Sequence, residues 1–234
     1  SATKRAVSEP IAQKGIVMSS ARVVARSRSA SHASASPAPR PGITIAGIAE
    51  FFFAYPAGRV VDKLGPKRLQ GDMQTPEGFY YIDDFNPRSG FHLSLHIDYP
   101  NRSDRLLGDG SNLGGDIFIH GGCKTEGCMA VTDENIKEIY WIAVEARDNG
   151  QQRIPVHIFP TRLTDNNLAQ LVNVFDKEPE LVRFWSNLKP GYDYFARNKK
   201  LPDVAVNHRG RYMYPVPGPM LGQPVPARVV GRGR

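Results

Sequence analysis

The 234-residue chain is nearly devoid of cysteine: Cys123 and Cys128 are the only two. That excludes a scaffold held together by disulfides. No run of about 18 apolar residues occurs, so no segment reads as a membrane-spanning helix. Neither a CxxC nor an HExxH motif is present, which removes the commonest zinc-site spacings. No internal repeat is visible. The basic ends of the chain are not interleaved with aromatic residues, so they lack the stacking platforms of a single-strand binder. No specific nucleic-acid partner is read from them.

What is present supports a folded body. Hydrophobic residues make up 41% and charged residues 23%, enough to build a core. The net charge of +7 is uneven. Residues 1–40 hold seven Lys/Arg against one acid, Glu9. Residues 205–234 hold five Arg and no acid, and the middle, 41–204, has 18 Lys/Arg against 22 Asp/Glu. The basicity therefore belongs to the ends. It suits solvated tails, or arms that bind an anionic surface.

Residues 27–41, SRSASHASASPAPRP, are too poor in apolar surface to order themselves. Residues 1–42 are read as a disordered basic extension, 43–206 as the folded domain and 207–234 as a Pro/Gly/Arg-rich tail. No signal peptide is visible, because Arg22, Arg26 and Arg28 stand where an apolar region would be needed. Residues 43–55 suggest a buried strand or two. Short apolar or alternating runs at 79–82, 92–97, 116–120 and 155–159 read as strands. Three helices are expected. The first follows a Thr132 cap, with Ile136, Ile139, Tyr140, Ala143 and Val144 on one face. The second starts at the Thr164 cap. The third follows Pro179 and stops at Pro190.

The chemistry concentrates between His120 and Cys128. A strand ends in His120, a glycine-bearing loop follows, and Cys128 comes after Gly127, shortly before the first helix. A thiolate is the nucleophilic form of cysteine, and a nearby histidine can remove the thiol proton. Gly127 permits close backbone approach, so the amides at Gly127 and Cys128 are candidates for an oxyanion hole. Other readings stay open at this level. One is Cys128 as a buried small hydrophobe, another a short Cys123–Cys128 disulfide. His92, His96, His120, Cys123 and Cys128 form a zinc inventory on paper. Against that, His92 and His96 would lie about 13 Å apart along a strand, too far to share one ion without distortion.

His120-Gly121-Gly122 followed by Thr125-Glu126-Gly127-Cys128 resembles the motif of the L,D-transpeptidase catalytic (YkuD) domain, in its murein branch with a short HGGCx[ST]xGC loop. The resemblance extends over about 55–206. It includes Lys63–Lys67, Gly71-Asp72, Gln74–Tyr80, Leu93–Leu95, Ile97–Asn101, Asp133–Tyr140, Ile154–Pro160 and Phe184–Tyr192. It implies a mostly β, sandwich-like fold with flanking helices. Cys128 would be the nucleophile and His120 the general base. Gly127, Thr125, Gly121 and Gly122 would shape the loop and oxyanion hole, and Cys123 would be a loop residue. The substrates would be peptidoglycan stem peptides, including stems linked to murein lipoproteins, in the periplasm or at the cell wall. The outcome would be transpeptidation or hydrolysis. No cofactor and no metal are implied. The chain departs from the family's G-C-I-R pattern, with Met129-Ala130 after Cys128. Substrate recognition is therefore sought elsewhere: His96, Arg102 and Tyr80, with Arg105 beside Arg102. The alternatives carried forward are a non-catalytic wall- or anion-binding module and a zinc protein.

Overall fold

The computed structural model describes residues 15–19, 48–52, 64–108, 110 and 112–215. Their centre is one mixed seven-stranded sheet: β1 (Gly15–Ser19), β2 (Ile48–Phe52), β3 (Gly78–Asn86), β4 (Ser94–Ile97), β5 (Phe118–His120), β6 (Met129–Ala130) and β7 (Ile154–Phe159). The spatial order is β2-β1-β7-β3-β4-β5-β6. Every pairing is antiparallel except β5 with β6, which is parallel. A separate hairpin joins β8 (Ala205–Val206) and β9 (Tyr212–Met213). The described residues thus form one sheet with helices on its faces. The two stacked sheets of a sandwich are not what they show.

Alternation along the strands divides the core in two. One face carries Tyr80 and Ile82 of β3, Leu95 and Ile97 of β4, Ile119 of β5 and Met129 of β6. These pack against Ile136, Ile139, Ala143 and Ala146 of α2 (Asp133–Asp148); of the expected stripe Ile136, Ile139 and Ala143 are buried and Tyr140 partly so, while Ala146 was not expected. The opposite face carries Phe79 of β3 and Phe159 of β7. These pack against α3 (Asp165–Val174) and α4 (Pro179–Asn198) through Leu171, Trp185, Leu188 and Tyr192. This second cluster covers β7 and the start of β3. The β4–β5–β6 end of the same face has no helix in its cluster, and the candidate site lies there.

Several sequence expectations shift. α4 does not stop at Pro190 but continues to Asn198. A proline inside a helix costs about 3 kcal/mol. Tyr192 and Phe195 beyond it are buried, at roughly 1.5–3 kcal/mol each, which offsets that cost. Gly191 belongs to the same adjustment, since a Cβ there would meet Phe79 and Tyr214 at 2.6 Å. α1 (Arg102–Leu107) was not expected. Its signal is Asn101 with Asp104 in a capping box, each side chain bonded to the other's backbone amide. The expected boundary at 206 falls inside the β8–β9 hairpin. The hairpin is anchored by the Asn187 side chain, which donates to Tyr212 O and accepts from Tyr212 N. β1 lies within the segment read as a disordered extension, yet it pairs with both β2 and β7. The rest of that extension, and the tail beyond 215, lie outside the described residues.

Two buried titratable groups have opposite effects on acid stability. His157 is enclosed by Phe79 and Phe159, and burial pushes its pKa down to about 3. The unfolded chain binds this proton below the ordinary 6.5, so its contribution to stability is lost as pH falls from 6.5 toward 3. Asp104 is buried against Tyr80, and burial pushes its pKa up to about 6. Its contribution is present at low pH and is lost as pH rises from about 3.8 through 6. Replacing His157 by Leu should remove the first effect alone. Thermal unfolding between pH 4 and 6.5 should then lose a slope of up to about 1.4 kcal/mol per pH unit. An unchanged slope would place the acid sensitivity elsewhere.

Candidate active site

His120 and Cys128 are brought to one sheet face by the parallel β5–β6 pair. Ile119 is opposite Met129, and His120 is opposite Ala130. Ile119 and Met129 point into the core beneath α2. His120, and Cys128 one residue before β6, therefore belong to the other face. Strand spacing and rise put their Cα atoms roughly 8 Å apart, within reach of a thiol and an imidazole.

Each group is held by backbone. His120 Nδ1 lies 2.6 Å from Gly121 O. A carbonyl only accepts, so Nδ1 carries the hydrogen, and Nε2 of the neutral ring is left as an acceptor. Burial lowers the His120 pKa, with the Gly121 bond acting in the opposite direction, which favours the neutral ring. The Cys128 thiol accepts from Phe118 N–H at 3.4 Å and donates to Asp116 O at 3.4 Å. Burial raises its pKa. The Phe118 amide and the charge of Lys67 act to lower it, and the charge of Asp116 adds to the rise. The resting pair is thus a thiol and a neutral imidazole, with the thiol hydrogen directed at Asp116 rather than His120.

The loop between them is fixed at four points. Thr125 Oγ1 donates to Cys128 O at 2.8 Å. Gly122 N donates to Asp133 Oδ1 at 2.8 Å, tying the loop to the first turn of α2. Thr132 stands at the N-cap position at φ 72°, and its hydroxyl makes no capping bond. The expected Thr132 side-chain cap is therefore replaced by this Asp133 tie. A Cβ at Gly121 would meet Asp133 Oδ1 and Phe91 O at 2.5 Å. Gly127 has φ +109°, and a Cβ there would meet Gln74 O at 2.8 Å. The 67–74 loop against Gly127 is itself organised by Asp72, which accepts from the amides of Arg68, Leu69 and Gln74 and from Lys67 Nζ.

The remaining sequence candidates separate. His96 lies on the same face as His120, opposite Phe118, with its ring 4.9 Å from that of Phe118. Tyr80 is fully buried, with its hydroxyl on Asp104 and Glu77 O, so it braces α1 from the core instead of meeting a substrate. Arg102 and Arg105 are exposed on α1. Cys123 is exposed, and both cysteines are free thiols, which sets aside the disulfide reading. Glu126 is exposed. His92 is exposed and outside β4, at φ 74°, so it does not share an alternating strand with His96. No group of three or more His, Cys, Asp or Glu suited to a metal ion occurs among the described residues.

Sequence reasoning missed the groups that act through backbone or through distant loops. Asp133 was legible only as a first-turn acid, and its bond to Gly122 depends on the tertiary turn. Phe118 and Asp116 act through main-chain atoms and carry no side-chain signal. Phe91, 57% exposed, packs its ring against His120 in a tilted contact at 4.7 Å. Gly127→Ala should strain the loop and shift the thiol, at a cost of about 1–3 kcal/mol. In a Cys123→Ala background, its Cys128 alkylation rate should differ several-fold from the parent's. An unaltered rate would show that Gly127 does not position the thiol.

Residues 48–158 match the model of the L,D-transpeptidase catalytic domain, YkuD. The chain is 40% identical over 157 residues to the Escherichia coli K12 protein named "Putative L,D-transpeptidase YafK", covering 66% of this chain and 60% of that protein. The O157:H7 protein of the same name matches equally. The chain thus spans about three-fifths of the length of these curated relatives. A weaker likeness is to the crystal structure of the helical cell shape determining protein Pgp2 from Campylobacter jejuni. It has 27% identity and a TM-score of 0.32, and covers 42% of this chain and 36% of that one. The segment that carries His120 and Cys128 lies within the residues that match the L,D-transpeptidase catalytic domain model, YkuD.

Proposed function

We propose that this protein is a cysteine-dependent acyl transferase acting on peptidoglycan stem peptides in the periplasm or at the cell wall. The observation that carries the reading is the His120–Cys128 arrangement. A thiol and a base whose Nε2 is the ring's acceptor share one sheet face, at the end that no helix among the described residues joins in its core cluster. In this mechanism, rotation of the Cys128 side chain moves its hydrogen from Asp116 O to His120 Nε2. Sγ attacks the stem-peptide carbonyl as His120 takes the proton. The Gly127 and Cys128 amides receive the developing oxyanion, with Thr125 bracing the loop. The thioester forms as His120 returns the proton to the departing amine. A second amine then gives transpeptidation, and water gives carboxypeptidase or amidase-type cleavage, including release of groups attached to murein. Arg102 stays a candidate contact for the substrate carboxylate. Tyr80 is not carried forward.

The test is mass spectrometry of muropeptides incubated with the wild type and variants. Cys128→Ala should lower product formation by at least about a thousandfold while remaining folded. Cys123→Ala should stay within a few-fold of wild type. Product formation that persists in Cys128→Ala, or is lost only in Cys123→Ala, would overturn the assignment.

The pH dependence follows from the neutral resting pair. kcat/KM should fall on the acid side as His120 gains its proton. Burial lowers the His120 pKa, so the midpoint should lie below the ordinary 6.5. An acid limb centred above 6.5 would contradict His120 as the base.

A further inference from the structure

Next to the Cys128–His120 pair, the same sheet face holds a second histidine with a carboxylate behind it. β3 pairs with β4 in a register that slips by one residue between Ile82 and Asp84. Asp83 is the extra residue of this bulge, and bulges redirect side chains. Asp83 Oδ1 lies 2.5 Å from His96 Nδ1. An ionised carboxylate only accepts, so Nδ1 donates to it, and in this Nδ1–H tautomer Nε2 is the acceptor. Asp84 is paired directly with His96 across the strands.

The row runs from Asp84 on β3 through His96 on β4 to Phe118 on β5, whose N–H bonds the Cys128 thiol. Two strand spacings, about 10 Å, separate His96 from the position of Cys128. A group several bonds from the attacked carbonyl would therefore reach His96. His96 is partly accessible, with 22% of its side chain exposed, and Asp83 more so, at 47%. The hydrogen-bonding groups this patch presents are acceptors: imidazole Nε2 and two carboxylates. Such a set complements a donor-rich cation and repels a carboxylate.

We propose that Asp83 and His96 form a specificity site for a side-chain amino group of the stem peptide, the ammonium donating to His96 Nε2 with Asp83 holding the ring. Met129-Ala130 supplies no cation after Cys128, and this acidic patch gives the cleft the opposite preference. The inference rests on the stem-peptide reading above, and the following experiment separates the two.

Wild-type protein is given a stem peptide with a free side-chain amine and the same peptide acetylated at that amine. The ratio of kcat/KM for free over acetylated should be roughly tenfold, and should fall to about one in His96→Ala and in Asp83→Asn. Titration calorimetry with the Cys128→Ala protein supplies a readout independent of turnover, and there the free-amine peptide should bind about tenfold tighter. A wild-type ratio near one, or a ratio retained in His96→Ala, overturns the inference. Absence of Cys128-dependent turnover on both peptides overturns the stem-peptide chemistry instead. In that case the calorimetric preference, and its loss in the His96→Ala, Cys128→Ala double variant, still decides the amine site.

Discussion

The short parallel pairing of β5 with β6 is the constraint on which the site depends. Parallel pairing fixes which residues share a face, and a slip of one position would send every side chain of β6 to the opposite side. With Ile119 against Met129, the apolar pair goes under α2 while the thiol and the imidazole go to the open side. The return from β5 to a parallel β6 takes only eight residues and has no crossover helix. The loop must therefore turn sharply, and it does so on Gly122 at φ 70° and Gly127 at φ +109°. Main-chain bonds from Val131 N to His120 O and from Thr132 N to Gly122 O carry the pairing onward to α2.

Backbone strain gathers around this turn. Met73, His92, Asp116 and Thr132 are four of the five non-glycine residues with positive φ among the described residues. Asp116 presents its carbonyl to the thiol, Met73 adjoins the Gly127 contact, His92 adjoins Gly121, and Thr132 closes the loop. Conformations of this kind cost of order 1–3 kcal/mol each and persist only where surrounding bonds over-determine them. Here the surrounding bonds are identifiable: the Asp72 carboxylate gathers the 67–74 loop, and Asp133 ties Gly122 to α2.

The layering of the sheet leaves the site outside the second core. α2 covers one face, and α3 and α4 cover the β7–β3 half of the other. α4 is held over that half by Trp185, whose indole N–H bonds the buried carboxylate of Glu77 at 2.7 Å. Its Asn187 amide and the Tyr214 hydroxyl fasten the β8–β9 hairpin to the same helix. The polar row of His96 and His120 is left beyond the edge of this second core. Phe91 packs against the buried His120 ring from its loop.

Local pattern determined much of the protein. The alternating runs at 79–82 and 155–159, the α2 stripe and the Thr164 cap all follow from periodicity and short-range bonding. His120 and Gly127-Cys128 were legible as a local motif eight residues apart, but thiol chemistry needs the two groups close in space, which spacing alone does not decide. Tertiary structure decided the rest. Pro190 reads as a helix stop, and only the burial of Tyr192 and Phe195 carries α4 through it. Tyr80 reads as a cleft residue, and the sheet register turns it into the core. His96 reads as a substrate-recognition candidate, and its carboxylate partner Asp83 comes only from the bulge in β3. In each case the deciding contact is between residues far apart in sequence or depends on which sheet face a residue occupies, and local spacing encodes neither.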